Sequence, residues 1–125
     1  MSSSDEETLR FITASFPSVW ALELLLMLKR RDGSCARQDL IARLRGSEAV
    51  VSKALEALVA VGLVSMEGDE AVYVPANRGA EASVDRAEDL YRRRPNTVCR
   101  AIVRARTSGA AAFAEAFKLR SGSND

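Results

Sequence analysis

Apolar and polar positions follow a helical period through most of the chain, and change to an alternating period once, near its middle. Leu9, Ile12 and Phe16 recur at helical spacing behind Ser4 and Glu7, which stand in capping-box relation. They predict a first helix over about residues 5–15. Pro17 closes it and opens a second. There Val19, Leu22 and Leu26, flanked by Leu25 and Trp20, form a broad apolar face, with Trp20 expected in the core. Lys29, Arg30 and Arg31 then place cations at the negative end of the helix dipole.

"RDGS" is a turn by composition. Ser34 is expected to cap a third helix, "CARQDLIARLRG", with Leu40, Ile41 and Leu44 on one side and Gly46 as a left-handed stop. Ser47 is expected to cap a fourth, "EAVVSKALEALVAVG", with Val51, Ala54, Leu55 and Leu58 buried and Gly62 at its end. The period then changes. "LVSM" and "AVYVP" flank "EGDE", a β-hairpin pattern whose second strand Pro75 limits.

Helical spacing returns afterwards. Ala80, Val84, Ala87 and Tyr91 make one stripe, with Leu90 beside it. Pro95 interrupts; Val98, Ile102 and Ala105 continue, with Cys99 adjacent, and Phe113, Ala116 and Phe117 mark a last amphipathic helix. The predicted fold is mainly α with a small β-hairpin. It comprises an N-terminal helix (1–16), a helix and hairpin module (17–76), C-terminal helices for packing or dimerisation (77–120) and a disordered tail (121–125).

A chain of 125 residues suggests a single domain, and a net charge of +1 sets up no global field toward nucleic acid or membrane. There is no histidine, which excludes a His base. The two cysteines, Cys35 and Cys99, form no CxxC pair, so the usual zinc ligand sets are missing. Two reduced thiols are the leading reading, with a disulfide left open because pairing depends on geometry. No phosphate-cradling glycine loop or nucleophile–base pair is visible, so neither an enzyme nor a cofactor is expected. "MSSSDEETLR" is too acidic for a signal peptide, and "VWALELLLMLK" is interrupted by Glu23 and too short for a bilayer. A cytoplasmic location is expected.

"SVWALELLLMLKR", "DLIARLRGSEAVVSKALEALVAVGLVSME" and "YVPA" resemble the winged helix-turn-helix domain of bacterial regulators of the MarR and ArsR type. The resemblance spans Val19 to Val74, a little under half of the chain. It is specific for a fold more than for any one family. The tail "DLYRRRPNTVCRAIV" departs from the dimerisation helices of those families and is more similar to short, uncharacterised winged-helix regulators. The resemblance implies a helix-turn-helix regulator with extra N- and C-terminal helices. In it Ser47, Glu48, Ala49, Ser52 and Lys53 approach base edges in double-stranded DNA, and Arg37, Arg43 and Arg45 hold phosphates. A homodimer through the N- or C-terminal helices would present two such helices.

Local charge opposes that reading. Between Ser34 and Pro75, four bases face six acids, a net of −2, and the supposed wing tip carries Glu67, Asp69 and Glu70. Positive charge lies further on: from Arg78 to Arg106, eight arginines stand against four acids. Arg92, Arg93, Arg94, Arg100 and Arg104 are therefore a candidate basic patch, or else solvated helix faces with pairs such as Glu88–Arg92 and Asp89–Arg93. Two functions stay open: a DNA-binding transcriptional regulator, and a winged-helix module that binds a protein partner through its acidic wing.

Overall fold

A computed structural model describes residues 3–31 and 33–106. The helix expected around Phe113 and Phe117 and the tail 121–125 lie outside the described residues.

Helix α1 spans Ser3–Ser15, so Ser4 is inside the helix and does not cap it. Its carbonyl accepts from the Thr8 hydroxyl at 2.9 Å. Helix α2 spans Val19–Arg30 and is capped by Ser18, whose Oγ accepts the Ala21 N–H at 3.2 Å. Ala21, Leu22, Leu24, Leu25, Leu26 and Leu28 are all buried, far more than one stripe. The helix is central because α4 and β3 pack against it. Each leucine removed from water contributes about 2 kcal/mol. No single described helix is long and apolar enough to cross a membrane.

Trp20 departs from its expected core position and is 41% exposed. A Cβ built on Gly46 would meet its ring at 3.4 Å, so the indole lies over the loop after the third helix. The core is filled by the aliphatic residues on the other sides of α2.

The segment read as the start of the third helix is partly a strand. β1, Cys35–Ala36, pairs antiparallel with β3, Glu70–Tyr73, in the register Cys35↔Ala71 and Ala36↔Glu70. Helix α3 runs only over Arg37–Leu44, with Ala36 at its N-cap and no side-chain cap. Ser34 instead donates its hydroxyl hydrogen to Glu70 Oε1 at 2.8 Å. The strand forms because β3 offers an open edge that a local reading of residues 34–37 cannot see. The left-handed stop also moves by one residue: Arg45, φ 53°, takes it in place of Gly46.

Helix α4, Glu48–Ala60, follows the expectation closely. Ser47 Oγ accepts the Val50 N–H at 3.1 Å, and Val51, Ala54, Leu55 and Leu58 are buried. Gly62 has φ +76°, a backbone state open to glycine, and turns the chain into the hairpin. β2, Val64–Glu67, pairs with β3 in the register Val64↔Tyr73, Ser65↔Val72, Met66↔Ala71 and Glu67↔Glu70. Gly68 and Asp69 form the two-residue turn between them, and Gly68 takes positive φ. The sheet order is β1-β3-β2.

Asn77 caps helix α5, Arg78–Arg93, which packs chiefly on α1. Val84 and Ala87 are buried as the stripe predicts, but its other members, Ala80 and Tyr91, are only half-buried, and Leu90 beside the stripe is buried instead. Arg94 leaves the helix, and helical residues 95–106 form α6, opened by Pro95 where a missing N–H costs nothing. Val98 and Ile102 are buried, whereas Ala105 is exposed. A single apolar cluster runs from Ile12 and Phe16 through α2, α3, α4 and the sheet to Ile102. Cys35 is buried, Cys99 half-buried, and both are free thiols.

Candidate nucleic-acid interface

Three loop residues, Arg45, Gly46 and Ser47, join α3 to α4. The left-handed Arg45 reverses the chain, and the Ser47 cap starts α4 at once. Ser47, Glu48, Ala49 and Lys53 are exposed on the first turns of α4. Ser47 is occupied as a cap, so its hydroxyl has a structural duty before any other.

Ser52 and Arg37 hold each other. Arg37 Nη1 donates to Ser52 Oγ at 3.1 Å. Its Nε lies 3.4 Å from Asp69 Oδ1 without hydrogen-bond alignment, so that pairing is Coulombic. The Arg37 backbone N–H donates to the Asp69 carbonyl at 2.9 Å. One side chain thus ties together the start of α3, the second turn of α4 and the hairpin tip. Arg37 is therefore a brace, with its charge already answered by Asp69. Arg43 and Arg45 are exposed and make no ion pair among the described residues.

The brace changes the account of the acidic tip. Asp69 is paired with Arg37, and Glu70 accepts from Ser34. Glu67 has no ion pair among the described residues, and it faces Glu70 directly across the ladder. Two of the three acids are thus explained by local structure. The surplus negative charge at the tip rests on Glu67 and Glu70.

The arginines of α5 and α6 are not one free patch. Arg92 and Arg93 both bind Asp89, each at 2.8 Å, and Arg93 reaches Asp5 of α1 at 3.2 Å. These contacts hold the Asp89 carboxyl below its usual range, first through Arg93 and then Arg92. Of the two pairs expected here, Asp89–Arg93 forms. Glu88 turns instead to α2, accepting from Lys29 at 2.6 Å and Arg30 at 3.1 Å, with Asp85 also 3.2 Å from Lys29. The hydrogen bond from Lys29 leads in lowering the Glu88 carboxyl, and the same bond raises Lys29. Arg94, Arg100 and Arg104 are exposed.

A second polar link joins α2 and α5. The Tyr91 hydroxyl donates to Glu23 Oε1. Burial, and then this bond, push the Tyr91 phenol well above its usual value. The only hint in the sequence was Glu23 itself, a charge inside an otherwise apolar helix. Among the described residues no group of three or more Cys, Asp or Glu is placed to hold a metal ion.

No family model, curated protein or solved structure matches this chain.

Proposed function

We propose that the protein is a DNA-binding transcriptional regulator of winged helix-turn-helix type, with α4 as its reading helix. The observation that carries this is the succession α2-β1-α3-α4-β2-β3 with sheet order β1-β3-β2. A short strand before the first helix of the turn, a tight helix-turn-helix and a hairpin closing on that strand is the arrangement this class of reader needs. Lys53 and Ala49 are the exposed base-facing positions, and Glu48 accepts from cytosine N4. Arg43 and Arg45 hold phosphates. Arg37 leaves the phosphate set and orients the wing against α4.

Selection from a random duplex library at low salt tests this. An enriched sequence is expected, bound with an affinity that falls with salt. Arg43→Ala and Arg45→Ala should each flatten the salt slope by about one counterion, whereas Lys53→Ala should relax the sequence preference at the base it faces. Failure to enrich any sequence sinks the proposal.

The Glu67–Glu70 juxtaposition favours a second reading, a winged-helix module that binds a basic protein surface through its hairpin. Glu67→Lys is the clean probe, because Asp69 and Glu70 also serve the fold. A partner complex lost on that substitution, in a chain that selects no DNA, supports it.

A further inference from the structure

Helices α2 and α3 border a solvent-open cleft of about 540 Å³ lined by Glu23, Met27, Arg30, Arg31, Arg43 and Leu44. Its floor is apolar: Met27 and Leu44 are half-buried and packed on the core. Three guanidinium groups surround that floor. Arg30 is engaged by Glu88, while Arg31 and Arg43 make no ion pair among the described residues. The one acid in the lining, Glu23, already accepts the Tyr91 hydroxyl hydrogen. The cleft therefore offers an apolar seat and a cationic rim, in which three guanidinium groups outnumber the single carboxylate of Glu23, held in place by Tyr91.

From this geometry we infer a docking site for an acidic peptide segment of a partner protein. One apolar side chain of the segment sits between Met27 and Leu44, and flanking carboxylates meet Arg31 and Arg43. Charge complementarity selects the occupant. A guanidinium donates two parallel N–H bonds to a carboxylate, and a run of acidic residues supplies such acceptors in series. Arginine and methionine are among the residue types enriched where proteins meet. A small ligand would stay largely solvated in so open a cleft, whereas ligand pockets bury most of their ligand. A DNA backbone would satisfy the arginines but brings no apolar group for Met27 and Leu44. Arg43 is shared with the phosphate contacts proposed above, whereas Arg31 and Met27 stand outside them, so substitutions at Arg31 and Met27 distinguish the cleft from the DNA surface.

The probe is a fluorescein-labelled, helix-forming peptide with glutamates on both sides of a central leucine. It is titrated against the full chain at about 0.15 M salt, where unaided surface attraction is screened. Anisotropy reports binding. Trp20, the single tryptophan, lies one helical turn from Glu23 on α2 and gives an unlabelled second signal. Saturable binding is expected. Arg31→Glu and Met27→Glu should each weaken it about tenfold or more, as should serine in place of the peptide's leucine. Lys53→Ala should leave it unchanged. Circular dichroism confirms folding, and Arg31→Gln and Met27→Ser replace any variant that fails to fold. The inference is overturned by no binding, by binding that survives both cleft substitutions, or by equal binding of polyglutamate or of a peptide with lysines in place of the glutamates. It is also overturned if Arg31→Glu abolishes duplex binding to the same extent, which would make the cleft a nucleic-acid surface.

Discussion

Arg37 shows how one side chain's role depends on what folds beside it. Its guanidinium reaches both Ser52 and Asp69, two elements that are distant in sequence. A double-mutant cycle on Arg37→Ala and Asp69→Ala should give a coupling of about 0.5 kcal/mol, because Asp69 is largely exposed and the pair is screened. A coupling indistinguishable from zero, by denaturant unfolding, would remove the brace. Tyr91 is the more buried counterpart. Tyr91→Phe should cost about 1–2 kcal/mol, since Glu23 loses its donor in a half-buried setting. In spectrophotometric titration, the phenol of Tyr91 in a Tyr73→Phe variant should ionise well above pH 10, its ordinary value. Ionisation at the ordinary value would show that the bond to Glu23 does not hold in solution.

Among the elements, the passage from α4 into the hairpin is the most tightly specified. Gly62 takes positive φ, and a Cβ there would meet the Ala76 Cβ at 3.2 Å. The same glycine's carbonyl accepts the Ala76 N–H at 2.8 Å, so the turn has little freedom to shift. Gly62→Ala should therefore destabilise by about 1–2 kcal/mol in urea unfolding. The helix of Glu48–Ala60 should stay intact by amide exchange while the hairpin loosens first. Uniform loss of protection across both would contradict a local origin. This element was legible beforehand because cap, stripe and glycine all point to one conformation. β1 was not, since two residues carry no period and their pairing belongs to β3.

The whole molecule is closed by polar links from α2 to α5 and from α5 to α1, laid over one apolar core. Glu88 joins Lys29 and Arg30, and its folded carboxyl titrates below the ordinary 4.5. A depressed folded value means the unfolded chain binds the proton more readily. The contribution to stability is then complete above about pH 4.5 and is lost as pH falls through the folded value. Lys29 acts in the opposite direction: its raised value adds stability below its ordinary 10.5 that is lost as pH rises through the folded value. Glu88→Gln should flatten the fall in unfolding free energy between about pH 5 and 3, with only a modest loss at neutrality. An unchanged acid limb would place the pH dependence elsewhere, for example at Asp89.

Local chemistry by itself determined α2, α4, the hairpin turn, the break before Pro95 and the buried stripe of α5. Each of these is written in the spacing of nearby residues, where capping, backbone sterics and amphipathic period act over one or two turns. Only the tertiary structure decided which face of α2 Trp20 would occupy, that Cys35 would enter a sheet, and which charges were free. Arg37 and Asp69 cancel, Glu88 prefers Lys29 to Arg92, and Arg31 and Arg43 stay open along a cleft. Ion pairing depends on distances across the fold, and a sequence counts charges without stating those distances.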